Sequence, residues 1–355
     1  MRNVLDITDL SVTEINELLA VADDIIKKPR KYAKKCKGKK IATLFFEPST
    51  RTRLSFEAAM IELGGQVLGF EAASSSSASK GESITDTVKV VGNYADIIAM
   101  RHPLEGAPYV AAENSPVPII NAGDGGHSHP TQTLADLLTI HREIGRLDNI
   151  TIGFCGDLKY GRTVHSLINA MMRYKNVHFV MISPKELELP DYMKEVLTSF
   201  GGTVKVTESL DEYMSELDVL YMTRIQRERF DDTKEYDRLC GKYILTADKL
   251  LSAKKTMRVL HPLPRVNEIS VQVDKDERAA YFRQTYNGKI MRMALILKLL
   301  SSVNDADTVR HTDRITGYTC KNKKCITKTE QELVGYTYIN SNGKHACIYC
   351  DGDAE

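Results

Sequence analysis

The sequence predicts an α/β protein with two doubly wound parallel-sheet domains, followed by a small β-rich zinc-binding module. Three observations carry this. Short apolar runs alternate with helical stretches up to about Gly145, the same alternation restarts at Asn149, and four of the seven cysteines lie between Cys320 and Cys350. Strand–helix alternation favours parallel sheets covered by helices, because each element must bury its apolar side. At 355 residues the chain is long enough for two or three full cores.

Bulk composition narrows the function classes. With 42% hydrophobic and 27% charged residues the chain is ordinary for a globular protein, and its net charge of +1 argues against a dedicated nucleic-acid binder. The N-terminal stretch Met1–Asp6 lacks the apolar core of a signal peptide. The apolar stretch Met293–Leu300 is too short to span a membrane and contains Lys298. Cys36, Cys155 and Cys240 are scattered singly, so the distribution fits a cytoplasmic enzyme with a metal-binding appendix better than a secreted disulfide framework.

Residues 7–28 read as one amphipathic helix with Ser11 as its cap, and the basic run Lys34–Lys40 as a solvated connection. Ile41–Phe46 is a buried strand that Pro48 ends. Ser49 and Thr50 can cap the following helix, which repeats apolar residues from Leu54 to Leu63 and stops at Gly64-Gly65. Hydroxyls, backbone N–H groups and Arg51 thus converge at a helix N-terminus after a strand, which is an anion site best matched by phosphate. The alternative is a well-capped helix with a solvated arginine. After the strand Gln66–Phe70, the serine-rich stretch Ser74–Ser83 is either a flexible linker or a mobile loop that carries Lys80 into an anionic site. Ser83–Tyr94 is helical, and the strand Ala95–Met100 ends at Arg101, where open α/β sheets bind ligands; otherwise Arg101 is a surface charge. Ile119–Ala122 is a strand, Gly123–Gly126 a flexible turn, and His127–Thr133 opens a helix running to about Gly145. The two histidines have no carboxylate or cysteine at metal-ligand spacing.

In the second half, strands at Ile150–Cys155, Val177–Ile182, Thr203–Thr207 and Val219–Thr223 alternate with helices at Arg162–Tyr174 and Leu210–Glu216. Gly153-x-x-Gly156 lacks the full glycine pattern of a dinucleotide site. Arg162 at a helix start and Arg224 at a strand end can each hold a carboxylate through paired donors, which suits a dicarboxylic ligand; surface ion pairs are the alternative. In His261-Pro262-Leu263-Pro264 two prolines fix the backbone and present carbonyls to an amine or amide. Asn287–Val303 is a strongly apolar helix, 304–314 a polar linker. Cys320-x4-Cys325 and Cys347-x2-Cys350 then flank the strand Val334–Ile339 and a hairpin turn at Ser341-Asn342-Gly343. Two close cysteine pairs make a closed, structural zinc site; disulfides are the alternative.

Several of these segments, in order, resemble the transcarbamylases of the aspartate carbamoyltransferase kind. Phe45-x-Glu47-Pro48-Ser49-Thr50-Arg51-Thr52-Arg53 is similar to their carbamoyl-phosphate loop. Lys80-Gly81-Glu82 matches the loop that reaches a neighbouring subunit's active site, with Ser76 and Lys80 as the matching residues. Arg101-His102-Pro103 and His129-Pro130-Thr131-Gln132-Thr133 resemble further carbamoyl-phosphate segments. Asp157–Arg162 and Arg224-x-Gln226-x-Glu228-Arg229 resemble the aspartate segments, and His261–Pro264 the segment whose carbonyls are used. At His127-Ser128, where the family usually has a polar amide, the sequence departs, and His127 reads as incidental. The tail resembles the zinc domain of that enzyme's regulatory chain, fused behind the catalytic chain without a counterpart of the nucleotide-binding domain.

The resemblance implies a transcarbamylase fold with residues 1–130 binding carbamoyl phosphate (completed by a returning helix 285–303), 131–284 binding aspartate, a linker at 304–314 and a zinc domain at 315–355. It implies transfer of the carbamoyl group to L-aspartate, a step of pyrimidine biosynthesis. Arg51, Thr52, Lys80, Arg101 and His129 would be catalytic. Ser49, Thr50, Arg51, Thr52, Arg101, His129, Gln132, Leu263 and Pro264 would bind carbamoyl phosphate, and Lys80, Arg162, Arg224 and Gln226 aspartate. Cys320, Cys325, Cys347 and Cys350 would hold structural zinc, with no catalytic cofactor. The expected assembly is a cytoplasmic trimer or dimer of trimers with shared sites and the zinc module as a docking element, without nucleic-acid or membrane partners. The alternatives are another acceptor, ornithine above all, or an inactive zinc-ribbon binding scaffold.

Overall fold

In the computed structural model, residues 2–198, 200–225, 241–302, 313–330, 333–340 and 342–355 are described. They form two compact units, one of residues 1–131 with 289–355 and one of residues 132–288.

The first unit opens with a turn of 3-10 helix at Ile7–Asp9, capped by Asp6, and then helix α1, Val12–Lys27. The single helix expected over 7–28 is therefore divided, because Ser11 and Glu14 form a reciprocal capping box that starts α1 afresh. Strand β1 (Lys40–Phe45) leads into α2 (Thr50–Glu62), β2 (Gln66–Phe70), α3 (Ile84–Val91), β3 (Ile97–His102), α4 (Ala107–Asn114) and β4 (Ile119–Asp124). The strands make a parallel sheet in the order β2-β1-β3-β4. In its register Leu44 pairs with both Phe70 and Met100, and Ile98 with Ile119. Ala42, Leu44, Ile98 and Met100 are buried on one face of this sheet against Ile84, Val88, Val110 and Ala111. The ends of β1, β3 and β4 lie side by side, since Phe45 pairs with Arg101 and His102 with Asp124. Helix α5, Pro130–Ile144, starts in this unit and continues into the second.

The second unit holds β5 (Ile150–Cys155), α6 (Arg162–Met171), β6 (Val177–Ile182), α7 (Asp191–Thr198), β7 (Val204–Thr207), β8 (Val219–Met222) and β9 (Arg258–Leu260), a parallel sheet ordered β7-β6-β5-β8-β9. Helix α7 is not apparent from the sequence pattern, and residues 210–216 form turns where a helix is expected. Leu210, Met214 and Leu217 are nonetheless buried, so turns satisfy the same apolar spacing. Helix α8, Tyr281–Ser301, starts earlier than Asn287 and returns the chain to the first unit.

The tail belongs to the first unit. Strands β10 (Thr337–Ile339) and β11 (His345–Cys347) form an antiparallel hairpin, and Asn340 holds its turn by accepting from the N–H groups of Asn342 and Lys344. β10 is shorter than the strand expected from Val334. Cys325, Ile326, Cys347, Ile348 and Tyr349 share one apolar cluster with Ile84, Ala107 and Val110. The backbone of Glu105 exchanges hydrogen bonds of 2.9 Å with Lys324 and Ile326. Gly106 sits at φ 85°, and a Cβ there would lie 2.6 Å from that of Tyr349, so only glycine admits this approach.

Candidate functional site: an anion-binding loop, acceptor arginines and a cysteine cluster

The first site grows from the strand ends. Ser49 is the N-cap residue of α2 and makes no side-chain cap bond, so the first turn directs its N–H groups outward without an internal acceptor from the cap. The two arginines of this loop differ. Arg53 is tied by Nε to Glu57 at 2.7 Å and by Nη1 to Glu71 at 2.6 Å, and these carboxylates hold its pKa above the ordinary value. Arg51 is shifted the other way, by partial burial and then by the repulsive charge of Arg101. A guanidinium opposed by the charge of a second one marks a place where an anion gains binding energy.

Arg101, at the end of β3, is half-buried. Its Nη2 lies 2.7 Å from Glu47 Oε2, while its Nε is buried with no hydrogen-bond partner among the described residues. Thr52 is buried under the same loop. His129 is 5% exposed, and its Nδ1 lies 3.5 Å from Thr131 Oγ1, which also accepts from Arg292 at 3.3 Å. Arg292 reaches Ser55 Oγ at 3.2 Å and stacks over Phe56, so α8 braces the start of α2. The hydroxyls, N–H groups and cations available here can bind a phosphate and stabilise negative charge developing beside it. Lys80 closes a 3-10 turn at Ser77–Lys80 and is exposed. Ser76 donates to the Ala73 carbonyl at 2.9 Å.

In the second unit Gln132 Nε2 donates to Asp136 Oδ1 at 2.7 Å. Asp136 is fully buried and also accepts from Gln284 Nε2 at 2.6 Å and Tyr221 OH at 2.9 Å. Burial and the neighbouring carboxylate push the Tyr221 pKa well up, keeping it a donor. Asp136 is thus an orienting residue that sequence reasoning missed; the four-residue spacing from Gln132 on one helix was the available signal. Arg162 is the first residue of α6 and Arg224 follows β8, both half-buried. Gln226 lies outside the described residues. Leu263 adopts φ 54°, uncommon for a branched residue, and is pinned because its N–H donates to His261 Nδ1 at 2.7 Å. His261 Nε2 lies 2.7 Å from buried Glu268, which also accepts from the N–H groups of Val266 and Asn267. This ladder fixes the backbone that presents the carbonyls of Leu263 and Pro264.

The four tail cysteines are all buried, and their sulfur atoms lie within 4.8 Å of one another. Sγ–Sγ separations are 3.6 Å for Cys320–Cys350 and 3.8 Å for Cys325–Cys347. A disulfide requires about 2.05 Å, and a tetrahedral site with metal–sulfur bonds of about 2.3 Å requires roughly 3.8 Å between sulfurs. The cluster can hold a metal ion. Thr327 Oγ1 donates to Cys325 Sγ at 3.2 Å, a contact that favours a thiolate.

Residues 2–142 match the family model described as the aspartate/ornithine carbamoyltransferase carbamoyl-P binding domain, and residues 148–299 the corresponding Asp/Orn binding domain. The aspartate carbamoyltransferase catalytic subunit of Clostridium novyi is 60% identical over 84% of this chain and 98% of its own length, and that of Lachnoclostridium phytofermentans 58% identical over 85% and 99%. These relatives are covered almost completely, while about 15% of this chain is left unmatched. Among solved structures, the catalytic subunit of M. jannaschii aspartate transcarbamoylase is 47% identical with a TM-score of 0.82 over 86% of this chain and 100% of that one. The Trypanosoma cruzi aspartate transcarbamoylase in complex with carbamoyl phosphate and aspartate is 39% identical with a TM-score of 0.78 over 84% and 96%. The chain belongs to the aspartate/ornithine carbamoyltransferase family, among the aspartate carbamoyltransferase catalytic subunits.

Proposed function

We propose that the protein transfers the carbamoyl group of carbamoyl phosphate to L-aspartate, giving N-carbamoyl-L-aspartate and phosphate. The observation that carries this reading is the opposition of Arg51 and Arg101 at the start of α2, with Arg101 paired to Glu47 through Nη2 while its buried Nε meets no hydrogen-bond partner among the described residues. Ser49, Thr50, Arg51, Thr52 and Arg101 bind the phosphate, His129 and Gln132 the carbamoyl end, and Leu263 and Pro264 offer it their carbonyls. Lys80, Arg162, Arg224 and Gln226 hold the aspartate. The neutral amine of aspartate attacks the carbamoyl carbon, and charge collects on the carbamoyl oxygen. The bond from that carbon to the phosphate oxygen then breaks, its electron pair and the nitrogen's proton leaving with phosphate. Arg51, Thr52, Arg101 and His129 stabilise the charge that moves, and bringing two anions together is what the cations make affordable.

The division into a carbamoyl-phosphate domain at 1–130 with its returning helix, an aspartate domain at 131–284, a linker at 304–314 and a zinc domain at 315–355 follows the same reading. Cys320, Cys325, Cys347 and Cys350 hold one structural zinc, supported by the sulfur spacing, and the tail is a regulatory-chain-like domain fused to the catalytic chain. The exposed position of Lys80 supports its acting in a neighbouring subunit, hence a cytoplasmic trimer or dimer of trimers. Phosphate release with aspartate and ornithine as parallel acceptors tests the chemistry. Release with aspartate alone is expected; release with ornithine alone overturns the acceptor assignment, and no release with either favours an inactive scaffold. Elemental analysis is expected to find one zinc per chain, absent in Cys325→Ser.

A further inference from the structure

The loop between β4 and α5 carries Ser128 and His129, and it is fastened from an unexpected side. His127, incidental by sequence, is largely buried with a carboxylate at each ring nitrogen. Nδ1 lies 2.9 Å from Asp124 Oδ2 and Nε2 lies 3.1 Å from Asp351 Oδ2. A ring that meets acceptors on both nitrogens donates twice only as the imidazolium. Burial alone would push the His127 pKa down, but Asp124 and Asp351 outweigh it and hold it well above the ordinary value.

Each end of this contact leads somewhere. Asp124 is 1% exposed, and its Oδ1 accepts from Asn121 Nδ2 at 2.9 Å and from the N–H of Ser128 at 3.0 Å, while Oδ2 accepts from the N–H of Gly106. Ser128 Oγ donates to Asp6 at 2.7 Å, and His129 follows directly. On the other side Asp351 is the neighbour of Cys350, sits at φ 56°, accepts from Tyr338 OH at 2.9 Å and donates its N–H to the Cys347 carbonyl. Asp351 is therefore placed by the fold of the cysteine cluster itself.

We propose that His127 is a positioning residue that locks the His129 loop to the cysteine module through Asp351, so that the tail sets the affinity of the same chain for carbamoyl phosphate. This rests on the reading that His129 binds that substrate. A contact that merely fastens the tail would act like any other tail contact, and Arg314, whose guanidinium pairs with Glu113 of α4 away from the His127 loop, supplies the comparison.

The test is carbamoyl phosphate binding to the full chain without aspartate, by titration calorimetry, with metal content and melting temperature measured for each variant. Asp351→Asn keeps shape and removes charge, and is expected to weaken binding about tenfold, as is His127→Gln. In steady state the KM for carbamoyl phosphate rises in step while kcat stays within about twofold of wild type. Asp351→Glu restores part of the affinity, and Arg314→Ala leaves it unchanged. Unchanged affinity in Asp351→Asn with wild-type metal content overturns the inference, as does an equal loss in Arg314→Ala. A wild-type chain that binds no carbamoyl phosphate overturns the functional reading, and this inference with it.

Discussion

On the proposed reading, the anion loop of the first unit and the acceptor side of the second are built by opposite means. The anion loop is a continuous stretch, Phe45–Arg53, between a buried strand and a helix, and one neighbouring arginine completes its charge. The acceptor side, on that reading, draws on single residues from separate segments, Arg162 at the start of α6 and Arg224 after β8, together with backbone carbonyls held by a histidine–glutamate ladder. A phosphate offers several oxygens to one helix terminus, so local sequence suffices. A dicarboxylic amino acid offers two separate anions and an amine, so its contacts must come from distant segments.

Breaking the anion loop has the largest expected effect. Arg51→Ala lowers kcat/KM for carbamoyl phosphate by about 10²–10³-fold in phosphate-release kinetics, whereas Arg53→Ala, whose charge is occupied by Glu57 and Glu71, costs far less. On the acceptor side, Arg162→Ala raises the KM for aspartate by about tenfold to a hundredfold, the worth of a charge-assisted pair, with saturating kcat less affected.

Supports matter more where contacts are scattered. Asp136→Asn leaves three donors, two of them buried, facing a weaker acceptor and lowers urea-unfolding stability by about 2 kcal/mol. The smallest effect is pH-dependent. Burial pushes the Glu268 carboxyl up, but the His261 ring and backbone N–H groups leave its pKa below the ordinary 4.5. Because the folded pKa is the lower one, its contribution is full above 4.5 and is lost as pH falls through the folded value. The stability gap between wild type and Glu268→Gln, of about 1 kcal/mol at neutral pH, is expected to close on acidification, as read by melting temperature.

The same contrast decides what was legible in advance. Both sheets follow from strand runs and their spacing, and the cysteine cluster from two close pairs, because each signal spans a few residues. The partners that orient the site do not. Asp136 meets Tyr221 and Gln284, 85 and 148 positions away, and His127 meets Asp351 across 224. Nothing near His127 in sequence signals that contact, so a buried, doubly bonded histidine reads as incidental. Helix α8 was expected to begin with the apolar run at Asn287, yet it begins at Tyr281, and Gln284 in the added turn is buried against Asp136.

The most direct test of this division of labour is equilibrium binding of carbamoyl phosphate, without aspartate, to wild type, Arg51→Ala and Arg162→Ala. The account predicts that Arg51→Ala loses at least about a hundredfold in affinity, while Arg162→Ala binds like wild type. Equal loss in both variants would contradict it, because the acceptor arginine would then belong to the anion site.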